Sequence, residues 1–288
     1  MLQRAYVEIT NVCNLCCSFC PGTKREKKFI DPAEFRVLAE KLRLWTDYLY
    51  LHVMGEPLLH PALGEILDEC DRLGFRVCVT TNGVLLPSRL AVLRGRRCLH
   101  KVSVSLHSFE GNGGDGGLEE YVTGCWESCR ALAAEGVICA LRLWNERGAD
   151  RLNGRVLDAL SRLAGVRAET LPADRKGNRR LAERVFLEPG EKFDWPGQDG
   201  GGPGQDGGGP EAQFCYGLRR QIAVLCDGTV VPCCLDGEGR LALGNLLVQG
   251  LDEIWDSPRA RAIREGFDRR RPSEALCRRC GFARRFNR

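Results

Sequence analysis

Residues 5–20 read AYVEITNVCNLCCSFC. The first six, Ala5–Thr10, are apolar and β-branched at alternate positions and predict a buried strand. The next ten positions hold four cysteines, of which Cys13, Cys17 and Cys20 stand in C-x3-C-x2-C spacing. A [4Fe–4S] cluster normally takes four thiolates, so three from one loop leave one iron open to a small molecule. Loops at the carboxyl ends of parallel strands carry the site in barrels and open sheets alike. Zinc is the rival, but structural zinc prefers four ligands and paired C-x2-C spacing.

Outward from this stretch, apolar runs alternate with helical patterns. Further strands are expected at Tyr48–Met54, Phe75–Thr80, Lys101–Leu106, Val137–Trp144 and Val166–Leu171. Helices are expected at Pro32–Leu44, Pro61–Leu73, Pro87–Arg94, Leu118–Glu135 and Ala149–Leu163, the first with Asp31 as N-cap and Pro32 at its first position. Strand–helix repeats with apolar strands imply an α/β fold with a parallel sheet, open or closed. The heptapeptide GQDGGGP, written twice in tandem over Gly197–Pro210, has no apolar side chain to bury and reads as a flexible linker. The organisation expected is therefore a core over 1–171, a linker over 172–213 with one ordered patch at Val185–Trp195, and a small cysteine-rich unit over 214–288.

Composition narrows the class. The 288 residues are 43% hydrophobic and include 16 cysteines. The N-terminus lacks a basic segment followed by an apolar one, and no stretch suits a membrane span. A cytoplasmic location is expected, where clustered thiols bind metal rather than pair. The net charge of +4 hides an asymmetry: residues 259–288 carry 11 arginines against three acids. Such a tail suits a phosphorylated or nucleic-acid partner, but an exposed basic helix end explains it more simply, so nucleic acid is not the expected partner.

The cysteine loop, with Phe19 before its last cysteine, resembles that of the radical S-adenosylmethionine (radical SAM) enzymes. Other segments follow in that family's order. Gly55-Glu56-Pro57 is similar to its GGE segment, with Met54 in place of the first glycine, and Thr81-Asn82-Gly83 to its TNG. The resemblance implies a partial, TIM-like (β/α)6 barrel over about residues 4–171. It implies that Gly55, Glu56 and Pro57 meet the SAM ammonium, that Asn82 and Ser105 line the SAM site, and that Arg142 pairs with the methionine carboxylate. His107, after the fourth strand, is the leading candidate for a substrate contact or proton acceptor. The other histidines are expected in structural roles, and Glu8 faces the barrel interior by strand parity alone.

The C-terminal cysteines resemble a SPASM/twitch extension. Gly228 and Cys233 give G-x4-C, Cys277 and Cys280 give C-x2-C, and Asp227-Gly228 signals a hairpin between Ile222–Cys226 and Thr229–Val231. Only eight residues follow Cys280, none cysteine, so the resemblance implies one auxiliary [4Fe–4S] cluster on Cys215, Cys233, Cys277 and Cys280; a zinc ribbon is the rival. Cys234 is the alternative to Cys233. Cys70, Cys78, Cys98, Cys125, Cys129 and Cys139 read as small buried hydrophobes. The activity implied is reductive cleavage of SAM to a 5′-deoxyadenosyl radical, which takes hydrogen from a small-molecule or peptide substrate and leads to its oxidation or cross-linking. An external electron donor such as flavodoxin or ferredoxin is then needed. Cys13 lies so near the start that a peptide substrate is expected to need a separate leader-binding protein. An iron–sulfur carrier without SAM chemistry explains both cysteine sets but not the GEP and TNG segments.

Overall fold

The computed structural model describes residues 1–114, 116–148, 150–192, 194–196 and 213–286, except the side chains of 284 and 285. Both GQDGGGP copies lie outside the described residues. The strands are β1 (Arg4–Val7), β2 (Tyr48–Tyr50), β3 (Arg76–Thr81), β4 (Leu99–Ser105), β5 (Ile138–Glu146), β6 (Arg179–Ala182), β7 (Val185–Glu191), β8 (Gln221–Val224), β9 (Thr229–Val231) and β10 (Gly244–Asn245). The longer helices are α1 (Pro32–Arg43), α2 (Leu63–Leu73), α3 (Leu86–Leu93), α4 (Leu118–Ala134), α5 (Asn153–Ala164) and α6 (Pro258–Asp268).

The strands form one sheet in the order β10-β9-β8-β1-β2-β3-β4-β5-β7-β6. Neighbours from β8 through β1 to β7 are parallel; β9, β10 and β6 join antiparallel at the two ends. The end strands do not pair with each other, so the sheet is an open, partial barrel. One face of β1 sends Ala5 and Val7 into the main apolar core under the helices, while Tyr6 and Glu8 occupy the other face. Helix α1 starts as its sequence dictates, with an Asp31–Glu34 capping box and Pro32 in its first turn, and buries Phe35, Leu38, Ala39 and Leu42. The six spare cysteines are buried in this framework.

Two sequence expectations require correction. Val166–Leu171 is not the sixth strand: it holds only a 3-10 turn at Ala168–Thr170. Gly165, in the left-handed conformation, ends α5, and the apolar positions after it lose alternation beyond Ala168. The sixth strand of the repeat is β7, with Leu187 opposite Leu141, stiffened by its hairpin with β6. The core therefore runs past residue 171 into the stretch expected as linker. Nor is the C-terminal unit separate from the sheet, because β8 pairs in parallel with β1, Ile222 against Ala5.

The basic tail begins as α6, and several of its arginines have partners. Arg259 pairs with Glu274, Arg264 lies over Trp255, and Arg278 donates to the carbonyls of Pro272 and Ser273. Among the described residues no helix is long and apolar enough to cross a membrane.

Candidate active site

The cysteine loop leaves β1 and is clasped at its base. Thr10 Oγ1 donates to the Lys28 carbonyl at 2.9 Å and accepts from the Val12 amide at 3.0 Å. Asn11 donates to the Glu26 carbonyl and accepts from the Lys28 amide. The loop tip is held from the end of β4: Asn112 accepts from the Cys16 amide at 2.8 Å and donates to Cys17 Sγ at 3.0 Å, and the Ser18 amide donates to the Gly111 carbonyl at 2.7 Å. Gly111 is required here, since a Cβ would stand 2.5 Å from the Phe19 ring. From the end of β3, Asn82 Nδ2 reaches Cys13 Sγ at 3.9 Å and Asn14 Oδ1 at 2.8 Å. The ends of β1, β3 and β4 thus converge on Cys13, Cys17 and Cys20.

Burial pushes the thiols of Cys13, Cys17 and Cys20 above the ordinary value. An activated nucleophile needs the opposite shift. A raised thiol is no obstacle to a metal ligand, whose proton the metal displaces. The side-chain amides of Asn82 and Asn112 lie on the Cys13 and Cys17 sulfurs, the kind of hydrogen bond that tunes a metal-bound thiolate.

Gly55 has φ +77°, and a Cβ there would lie 2.4 Å from the Thr10 carbonyl oxygen, so the segment after β2 crosses directly against the loop base. Glu56 is buried, and burial raises its carboxyl. Its oxygens accept the amides of Asn82 at 2.7 Å and Leu58 at 3.0 Å. Glu56 therefore ties the GEP segment to the TNG segment. Met54, where the resembling family has glycine, is buried against Gly237, where a Cβ would lie 2.7 Å from Met54 Cγ.

Ser105 ends β4 in register with Arg142. Arg142 Nε donates to Glu188 at 3.0 Å, and its guanidinium lies 4.5 Å from the Trp144 ring centroid. Glu188 also binds Lys101, so Arg142 is already part of an ion network on β4, β5 and β7. His107 is buried beneath Phe19, ring centroids 4.9 Å apart, with Nδ1 3.2 Å from the Arg142 carbonyl. Burial lowers it to about 4, so its imidazole is neutral at pH 7. His60 is satisfied by the Ile30 carbonyl, as expected. His52 differs: it sits between Tyr6 and Tyr50, its Nδ1 is buried with no hydrogen-bond partner among the described residues, and burial lowers it to about 3.

These shifts have a testable sign. The unfolded chain protonates both histidines below about pH 6.5, whereas the folded one does not until about 4 and 3. Their contribution to stability is full above pH 6.5 and is lost as pH falls toward 4. Thermal melts from pH 7 to 4.5 should show His107→Phe losing less stability than wild type; a parallel decline would refute the assignment.

The four C-terminal cysteines share one cavity. Cys215, Cys233, Cys277 and Cys280 line one cavity together with Phe267 and Leu276, and Cys234 does not line it. Cys233 is therefore the better placed of the neighbouring pair. Burial raises all four thiols, Cys215 to about 11. Among the described residues no three or more His, Cys, Asp or Glu side chains converge as they would around one ion. A cubane asks for a different arrangement, because each thiolate takes its own iron and the sulfurs surround a gap. Gly228, with φ +86°, makes the β8–β9 turn that carries Cys226, and Cys233 follows the end of β9.

Two parts of this site have no sequence signal strong enough to find them. Asn112 lies in a glycine-rich segment that reads as a simple loop. Parity puts Glu8 on the inner face, but nothing in the sequence points to its partner Arg25; they meet at 2.7 Å with Glu8 fully buried.

Among curated proteins, the chain is 36% identical over 110 residues to the probable GTP 3′,8-cyclase of Sulfurisphaera tokodaii, covering 36% of this chain and 34% of that protein. It is 27% identical over 168 residues to the PqqA peptide cyclase of Streptomyces rochei, covering 57% and 46%. The chain thus spans between a third and a half of the length of these relatives. The fold is similar to that of BtrN in complex with AdoMet and 2-DOIA (TM-score 0.56, 19% identity, 97% of this chain and 93% of that one). It is also similar to anSMEcpe with bound AdoMet (TM-score 0.61, 12% identity, 91% and 79%). The family model of the radical SAM superfamily matches residues 7–148, and that of the SPASM iron–sulfur cluster-binding domain matches residues 215–281. Both expected cysteine sets fall within these matches, so the chain carries a radical SAM superfamily domain followed by a C-terminal SPASM iron–sulfur cluster-binding domain.

Proposed function

We propose that the chain holds a SAM-binding [4Fe–4S] cluster on Cys13, Cys17 and Cys20 and one auxiliary [4Fe–4S] cluster on Cys215, Cys233, Cys277 and Cys280, and that it oxidises or cross-links a small molecule or peptide. The observation that carries this reading is the gathering of four cysteines, distant in sequence, around a single cavity while the three-cysteine loop is clasped at the ends of three parallel strands. When bound, the cluster and SAM supply a 5′-deoxyadenosyl radical that removes hydrogen from substrate. The chain's own residues position and enclose. Carbonyls of Gly55–Pro57 receive the SAM ammonium, Asn82 and Ser105 line its other side, and Arg142 offers the N–H groups Glu188 leaves over to the carboxylate.

The relatives act on both kinds of substrate by name, a peptide in one case and GTP in another, which supports keeping small molecule and peptide together. A flavodoxin- or ferredoxin-like donor in the cytoplasm fits the need for single electrons, and a peptide substrate calls for a leader-binding partner. The test is anaerobic reconstitution followed by dithionite and SAM. About eight irons per chain and release of 5′-deoxyadenosine are expected. Replacing Cys277 and Cys280 by alanine should remove about half the iron and leave SAM cleavage in place. Zinc in the C-terminal site, or full clusters without 5′-deoxyadenosine, would sink the proposal; the second result is what a carrier protein gives.

A further inference from the structure

We propose that Glu8 and Arg25 form a positioning pair that holds the Met54–Gly55–Glu56 segment in its SAM-binding conformation; the inference rests on the functional reading above. The Glu8 carboxylate is fully buried and has donors from three separate segments. Arg25 Nη2 reaches both oxygens at 2.7 Å, the Met54 amide donates to Oε1 at 3.1 Å, and the Cys226 amide donates to Oε2 at 3.1 Å. Arg25 in turn donates through Nε to the Gly237 carbonyl at 2.8 Å and lies 3.7 Å from Cys226 Sγ. One ion pair therefore joins four places: the first strand, the return arm of the cysteine loop, the backbone beside Gly55, and the turn after β8.

Stability alone is a poor reason for this arrangement, because well-packed apolar side chains often match or exceed a buried ion pair. An apolar pair has no acceptor for the Met54 amide, however, and that amide precedes the residue whose carbonyl side is assigned to the SAM ammonium. A small shift in such a segment is magnified in binding, since contacts to a charged group depend steeply on geometry. The pair also connects the SAM segment to the C-terminal unit through Cys226 and Gly237, so any movement of that unit is felt at Met54.

The test compares wild type, Glu8→Gln and the apolar double variant Glu8→Leu/Arg25→Met, each reconstituted with iron and sulfide and kept oxidised so that SAM is not consumed. SAM affinity is read by equilibrium dialysis with labelled SAM, alongside iron content and thermal melting. Glu8→Gln should weaken SAM at least tenfold at unchanged iron. The double variant, with no unpaired buried charge, should regain melting temperature without regaining SAM affinity; it carries the measurement if the single variant does not fold. Recovery of affinity together with melting, or wild-type affinity in both variants, overturns the positioning role alone. Absence of SAM binding by the wild-type protein overturns the functional reading and this inference with it.

Discussion

Replacing Cys13, Cys17 and Cys20 together by alanine is expected to reduce 5′-deoxyadenosine formation to the no-enzyme background while about four irons per chain remain in the C-terminal site. The effect is large because cleavage of the sulfonium needs an electron delivered at one place, and binding or orientation elsewhere in the site supplies none. Cys16 is in the same loop, but its amide is fixed by Asn112 while the Asn112 side-chain nitrogen lies on Cys17 Sγ. Cys16→Ala is therefore the matched control and should keep full iron and full cleavage. Iron analysis, electron paramagnetic resonance of the reduced protein and product detection together decide the outcome. Residual cleavage in the triple variant, or loss of cleavage in Cys16→Ala, would show that the ligands are wrongly assigned.

Much of the fold was legible because its determinants are local. A capping box, a proline in the first turn and apolar residues at helical spacing place α1 whatever surrounds it. The cysteine sets were legible because ligand chemistry fixes both residue type and spacing. What the sequence hid depends on partners far along the chain. Val166–Leu171 and Val185–Glu191 are both short and partly apolar, and only pairing with β5 and β6 selects the second as a strand. The same holds in the site. Glu56 looked like a carboxylate free to meet an ammonium, yet it holds the amides of Leu58 and Asn82. His107, read as a proton acceptor, is lowered by its burial beneath Phe19, whereas His52, read as structural, has a buried nitrogen with no hydrogen-bond partner among the described residues. Burial and partner geometry decide protonation, and a single sequence carries neither.

Gly55→Ala tests the closest backbone approach in the site, and it should unfold the protein or abolish SAM binding. Two effects add. At φ +77° an alanine pays the left-handed penalty of roughly 1–2 kcal/mol. Its Cβ would also meet the Thr10 oxygen at 2.4 Å, the Val12 oxygen at 2.8 Å and the Asn11 carbonyl carbon at 2.9 Å. These are backbone atoms, so no side chain can rotate away, and the GEP segment must separate from the base of the cysteine loop. That separation would also strain the Glu56 amide contact with Val12 at 2.8 Å and the Met54 contact with Glu8. Gly22 supplies the comparison: its φ is +63°, and nothing lies within 4 Å of a Cβ there. Gly22→Ala should therefore show only the conformational penalty, a loss of roughly 1–2 kcal/mol, with iron content and SAM affinity preserved. Melting and SAM binding of the two variants separate strain from collision. Equal, small losses in both would mean that the loop base and the GEP segment do not pack as closely as this structure has them, and the SAM site would have to be built on other contacts.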